Sequence, residues 1–160
     1  MAKDKFSTTQ AVRALKEHGV DFTLRAYKFE EKGGTEVAAR ELGLDEHQVI
    51  KTLVMEDDVG RPFLVLMHGD KQVSTKALAR VLGVKSVRPC EPHVAHKHTG
   101  YFVGGISAFG TRKPLKVYVE ESIMALPIIC INAGRKGLLA EMSPGDLRKM
   151  LAPTPVNVAI

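Results

Sequence analysis

Only two cysteines, Cys90 and Cys130, occur in these 160 residues, so no disulfide framework holds the chain together. A chain of this length buries roughly two-thirds of its unfolded surface and builds a core without staples. Unpaired thiols suit a reducing cytosol, and a cytoplasmic location is expected. No apolar run exceeds about seven residues, against the roughly 20 that cross a bilayer, so no membrane partner is expected. The chain does not open with a basic segment followed by an apolar one, and export is not expected. Neither the GxGxxG fingerprint nor a GxxxxGK phosphate loop occurs, and no paired-carboxylate pattern stands out. Repeats, low-complexity tracts and long linkers are missing too, so residues 1–160 read as a single domain.

What is present is an ordinary globular composition, 44% hydrophobic and 26% charged, which excludes disordered and fibrous classes. The net charge of +5 is modest, but its distribution is uneven. Asp and Glu crowd the first 60 residues, while Lys71, Lys76, Arg80, Lys85, Arg88, Lys97, Arg112, Lys113, Lys116, Arg135 and Lys136 populate the rest. Such a basic half is either a phosphate-facing surface or a solvated one.

Periodicity and turn residues predict short elements. Ser7, Thr8 and Thr9 offer caps for a helix carrying Val12 and Leu15 and ending at His18-Gly19. A strand follows at Phe22 to Tyr27, and after the Gly33-Gly34 break a helix runs from Thr35 to Gly43. Val49 to Met55 and Pro62 to Met67 form a hairpin across the Asp57–Gly60 turn. Ser74 caps a helix ending at Leu82-Gly83, a short strand is expected at Val84 to Val87, and Pro92 to His98 form a surface helical turn. Tyr101 to Val103 read as extended, Leu115–Val119, Ile128–Ile131 and Leu138–Met142 as strands, and Ser143-Pro144 opens a last helix ended by Pro153 and Pro155. The sum is an α+β fold with a mixed, barrel-like sheet surrounded by short helices.

Lys51 is the residue most out of place. Alternation puts Lys51, Leu53 and Met55 on one strand face and Ile50, Thr52 and Val54 on the other, so an ammonium sits in largely apolar company. Either an anion or polar substrate group meets it, or it reaches water from an edge strand. In Thr99-Gly100-Tyr101-Phe102-Val103-Gly104-Gly105-Ile106-Ser107, glycines flank a short apolar stretch. That loop either aims backbone N–H groups at an oxygen or makes a tight turn. Ile131-Asn132-Ala133-Gly134-Arg135-Lys136-Gly137 poses the same alternatives. His93, His96 and His98 suggest a metal, but on a helix His98 leaves the face of the other two, and no metal or other cofactor is expected. Cys90 and Cys130 read as buried thiols, and Ser107 lacks a local base that would make it a nucleophile.

Taken together, Val49-Ile50-Lys51-Thr52-Leu53-Val54, the Thr99–Ser107 segment and Ala133-Gly134-Arg135-Lys136-Gly137 resemble, in order and spacing, the YbaK/EbsC family of aminoacyl-tRNA deacylases. Those proteins are related to the editing domain inserted in bacterial prolyl-tRNA synthetases, and the resemblance runs over nearly the whole chain. It implies the family's α+β fold and Lys51 as the essential catalytic lysine near the ester carbonyl, with Thr52 beside it. It further implies that Gly104, Gly105, Ile106 and Ser107 hold the aminoacyl group, that Tyr27 lines the pocket, and that Asn132 and Gly134 belong to the second glycine turn. Two departures stand out: Ala108 occupies the position after the loop serine where the family usually has proline, and Asn132 replaces a serine found in cysteine-specific members. The implied partners are an aminoacyl-tRNA, mischarged tRNA(Pro) above all, and a prolyl-tRNA synthetase, with no DNA. The implied activity is trans-editing deacylation without a cofactor, by water or by a cysteinyl substrate's own thiol. The other reading is a module that binds the charged 3′ end without turnover.

Overall fold

The computed structural model describes residues 8–160, so Ser7 lies outside the described residues. Five helices and eight strands alternate: α1 (Gln10–Glu17), β1 (Thr23–Ala26), α2 (Gly34–Leu42), β2 (Val49–Asp57), β3 (Pro62–His68), α3 (Thr75–Leu82), β4 (Val87–Pro89), α4 (Pro92–Thr99), β5 (Lys116–Glu120), β6 (Ile129–Asn132), β7 (Leu138–Met142), α5 (Pro144–Leu151) and β8 (Thr154–Val156). Thr9, Ser74 and Ser143 cap their helices, each hydroxyl accepting an N–H three residues on, which satisfies a donor that a helix start leaves orphaned. Gly43 and Gly83 end α2 and α3 in the left-handed region.

One mixed sheet contains all eight strands, in the order β1-β7-β6-β2-β3-β5-β8 with β4 added to the end of β2. The path is open, with β1 and β8 at its edges and no pairing among the described strands that closes it. β2 and β3 form the antiparallel hairpin, Lys51 opposite Met67, while β2 runs parallel to β6 in the register Val49↔Cys130 and Ile50↔Ile131. Alternation then sorts the side chains. Ile50, Val54, Leu64, Leu66, Ile129, Ile131 and Leu138 face a main core closed by Ala11, Val12 and Leu15 of α1 and Leu147 of α5. The other face carries two separate apolar patches. Met55, Phe63, Val65 and Met67 pack under Leu78 and Ala79 of α3, whereas Val49, Cys130 and Leu139 pack under Ala38 and Ala39 of α2. Each fully buried leucine of the main core stabilises the fold by about 1.5–3 kcal/mol. This division matters because β2 passes through both patches.

Three expectations need correction. The strand placed at Val84 to Val87 begins only at Val87 and runs to Pro89, because it pairs the far end of β2, Met55↔Pro89 to Asp57↔Val87. Tyr101 to Val103 form no strand: the Tyr101 N–H is held by Thr99 Oγ1 at 3.1 Å and its hydroxyl donates to Phe109 O at 2.5 Å, which folds the segment into a loop. Pro153 and Pro155 do more than stop α5, since Thr154–Val156 is a strand beside β5, tolerated because it is an edge. The 3-10 turns Glu46–Gln48 and Glu121–Ala125 have no periodicity to announce them.

The β2–β3 turn is fixed by Asp57. Its Oδ1 accepts the N–H groups of Arg61 at 2.9 Å and Val59 at 3.0 Å, and its Oδ2 accepts from Arg61 Nε at 2.7 Å. The Arg61 amide chiefly, with the guanidinium behind it, holds this carboxyl below its ordinary range. A lowered folded value contributes stability that is present above the unfolded pKa, near 3.9, and lost as pH falls through the folded value. Asp57→Asn is therefore expected to lower Tm by several degrees at neutral pH and by much less near pH 2, read by thermal unfolding across that range.

Candidate active site

Lys51 falls between the two outer patches, with Val49 in one and Leu53 and Met55 against the other. Along β2 the side chains of Val49, Ile50, Val54 and Met55 are buried, but Lys51, Thr52 and Leu53 are only half-buried, so the cover parts over the middle of the strand. Beyond its backbone place in the ladder with β3, the Lys51 ammonium makes no hydrogen bond or ion pair among the described residues. By contrast Arg25, Arg40, Arg61, Arg88 and Lys136 each pair with a carboxylate. An ammonium left half in an apolar gap without a counter-charge is a standing attraction for an anionic or carbonyl oxygen.

The parallel register carries Lys51 one step past Ile50↔Ile131, level with Asn132 at the end of β6. Asn132 is the clamp of the two glycine segments. Its Nδ2 donates to Gly104 O and Arg135 O, both at 3.3 Å, and its Oδ1 accepts the Gly134 N–H at 2.7 Å. Gly105 packs so closely on the second turn that a Cβ there would lie 2.8 Å from Arg135 Cα and from Lys136 N. Gly134, at φ +105°, lies against Thr9 and Tyr101. The Thr9 hydroxyl both caps α1 and donates to Ala133 O at 2.5 Å, tying the helix start to this turn.

The residues named from the sequence are not all gathered in one place. Lys51, Asn132 and Tyr27 share the outer face; Tyr27 is half-buried beside the α2 patch, burial pushes its phenol up, and its N–H donates to Gly137 O at 2.9 Å. Thr52 turns to the main-core side of β2, where its Oγ1 is buried and has no hydrogen-bond partner among the described residues. Ser107 is wholly buried, its Oγ accepting the Phe109 N–H at 3.1 Å, and Ile106 packs on the main core. Ala108, in the place of the usual proline, is also buried, so the loop is held by packing. The Gly105 N–H donates to Phe102 O at 2.8 Å, closing a turn, whereas the N–H groups of Gly104, Ile106 and Ser107 meet no protein acceptor among the described residues. The Gly105 amide thus realises the tight-turn alternative, and the other three are left without a protein partner among the described residues.

The histidines of α4 do not converge. His93 is exposed, His96 stacks on Phe102, and His98 is buried, with burial and then Lys113 and Lys97 pushing its pKa down; the surface helical turn is an eight-residue helix with one histidine inside. A different group went unseen in the sequence: His47, His68 and Asp70, whose donor atoms lie within 4.8 Å of one another. A carbonyl only accepts, so His68 Nδ1 donates to His47 O at 2.7 Å, and its Nε2 is hydrogen-bonded to Ser122 Oγ at 2.7 Å. His47 stacks on that ring at 3.7 Å and bonds Asp70 at 2.8 Å. Parallel stacked rings send their in-plane lone pairs past each other, so the group works as a hydrogen-bonded tie between the start of β2 and the end of β3. Thr9 and Tyr101 were also missed as site supports, because their partners are distant in the chain.

Neither thiol is a nucleophile. Burial pushes Cys130 up to about 11; burial and the bond to Glu56 push Cys90 up to about 12. At neutral pH an alkylating reagent is expected to modify neither thiol until the protein is denatured, as mass spectrometry reads directly. Gly105→Ala is expected to cost about 1–3 kcal/mol in denaturant unfolding, because backbone rather than a movable side chain blocks the new methyl.

The model of the family described as the aminoacyl-tRNA editing domain matches residues 30–150. The chain is 30% identical over 148 residues to the Enterococcus faecalis protein named "Putative Cys-tRNA(Pro)/Cys-tRNA(Cys) deacylase EbsC", covering 90% of this chain and 89% of that one. It is 23% identical over 140 residues to the proline–tRNA ligase of Limosilactobacillus fermentum, covering 85% of this chain but only 23% of the ligase. A solved structure of a hypothetical protein superposes with a TM-score of 0.85 at 24% identity, covering 94% of this chain and 99% of that one, which shows the shared fold.

Proposed function

The chain belongs to the aminoacyl-tRNA editing domain family, and from that premise we propose that it is a free-standing deacylase that removes cysteine from tRNA(Pro). The observation that carries the reading is Lys51: a cation without a counter-charge, in the gap between two apolar patches, level with the clamped glycine turns. The likeness to the Enterococcus protein over 90% of the chain supports the choice of aminoacyl group.

In the reaction a new bond forms to the ester carbonyl carbon, its oxygen gathers negative charge, and the bond to the terminal ribose oxygen breaks, that oxygen leaving with a proton. The Lys51 ammonium stabilises the developing charge, and the N–H groups of Gly104 and Ile106 supply further dipoles in a loop whose shape Asn132 fixes, with Ser107 holding that loop from inside. Asn132 is a positioning residue, since its amide is spent on the loops. Tyr27 walls the aminoacyl pocket, and Thr52 supports the strand from the far side. The attacking atom is water or the cysteinyl sulfur itself, and neither route asks for a protein nucleophile, which agrees with the unreactive thiols and the inward-turned Ser107. Small side chains are poorly told apart by size alone, a methylene being worth about 1–3 kcal/mol, so a prolyl-tRNA synthetase is the partner proposed to supply tRNA identity, in the cytoplasm.

The test is a panel of tRNA(Pro) charged with cysteine, serine, alanine or proline. Cysteinyl-tRNA(Pro) is expected to be deacylated fastest and prolyl-tRNA(Pro) spared. Comparable removal of serine identifies water as the attacking group; removal of cysteine alone identifies the substrate's thiol. Tight binding of tRNA with no deacylation of any member would make the chain a binding module and overturn the proposal.

A further inference from the structure

Phe102 is the most exposed aromatic side chain among the described residues, 70% open to solvent, and Val103 beside it is 55% exposed. Large apolar groups left in water at the rim of a site mark a contact surface. Phe102 is not loose. The His96 ring stacks on one of its faces, centroids 4.1 Å apart and planes within 11°, and His96 is itself held by a hydrogen bond from Nδ1 to Tyr101 O at 3.1 Å. The other face of Phe102 is left to solvent. The glycines on either side are each covered by a cationic side chain: Arg112 lies 3.6 Å from where a Cβ of Gly100 would be, and Lys136 lies 3.3 Å from that of Gly104. Lys97 follows His96 on α4. Of these, Lys136 also pairs with Glu31 at 3.1 Å.

A rigid aromatic face bracketed by cations, in the segment that leads into Gly104, has the chemistry that holds single-stranded nucleic acid: rings stack on bases and cations meet the phosphates between them. We infer that Phe102, backed by His96, is a stacking platform for a base of the unpaired 3′ strand of the charged tRNA, with Arg112 and Lys136 at the flanking phosphates. The inference rests on the editing reading of the Lys51 site, and it adds a site for the RNA where that reading supplies one for the ester. A platform of this kind anchors the strand by shape and charge, so it favours any tRNA with a free 3′ end over a duplex. The side chain carries no load in the core, so its removal leaves the fold intact.

The test measures equilibrium binding of uncharged tRNA to the full chain at one fixed salt concentration, alongside deacylation kinetics. Phe102→Ala is expected to bind intact tRNA about tenfold more weakly than wild type, since one base stacked on an aromatic ring is worth roughly 1–3 kcal/mol. Phe102→Trp is expected to retain affinity, with its indole fluorescence quenched by intact tRNA. The same tRNA trimmed of its unpaired 3′ nucleotides should bind wild type and Phe102→Ala alike. Unchanged affinity of Phe102→Ala for intact tRNA, or a loss that persists on the trimmed RNA, would overturn the platform. If wild type deacylates nothing yet Phe102→Ala still loses affinity for the intact 3′ end alone, the editing reading fails and the platform stands. If wild type deacylates and Phe102→Ala matches it in both affinity and kcat/KM, the platform fails alone.

Discussion

Parallel strands carry evenly spaced hydrogen bonds and admit little slippage where both faces are buried, and it is the parallel pairing of β2 with β6 that everything at the site depends on. Val49 against Cys130 and Ile50 against Ile131 leave Lys51 level with Asn132, so a residue of the first third is joined to the turns of the last. A slip of one residue would turn Lys51 into the main core, among Leu64, Leu66 and Ile131. The energetic guard on the register is therefore the same apolar alternation that makes the sheet.

The gap around Lys51 is a packing consequence of the same arrangement. Two helices, α2 and α3, cover the outer face, and each buries its own patch. Between them β2 is only half covered at Lys51, Thr52 and Leu53. Arg25, Arg40, Arg61 and Arg88 are paired with carboxylates at 2.5–2.7 Å, and the exposed Arg40–Glu30 pair contributes little to stability. Lys51 has no carboxylate partner among the described residues and stands in the half-covered stretch of β2, which leaves its field directed at whatever enters the gap. Asn132 then sets how the glycine turns meet that field, spending both amide hydrogens on carbonyls of the two loops.

Much of this was legible in the chain itself. The alternation through Val49 to Met55 gave the two faces of β2 correctly, and Asp57 to Gly60 the hairpin turn, because both signals are local. Serine and threonine caps likewise marked α1, α3 and α5. What escaped depends on contacts between distant residues. Thr154–Val156 becomes a strand only because β5 offers it an edge, and Tyr101 is bent into a loop by Phe109 and Thr99. The His47–His68 stack joins residues from a 3-10 turn and a strand end, with Ser122 reaching in from another turn. Similarly, the inward turn of Ser107 and the engaged amide of Gly105 are features of a closed loop that glycine content alone does not encode.

The proposed role of the Lys51 ammonium is to act on the reacting ester rather than on the fold or on RNA binding. Single-turnover deacylation of cysteinyl-tRNA(Pro) by Lys51→Ala, beside its Tm and its affinity for uncharged tRNA, tests that most directly. The rate is expected to be at least about 100-fold lower, the loss typical of removing one charge-stabilising group, with Tm and tRNA affinity nearly unchanged. A well-folded Lys51→Ala protein that deacylates at the wild-type rate would contradict it.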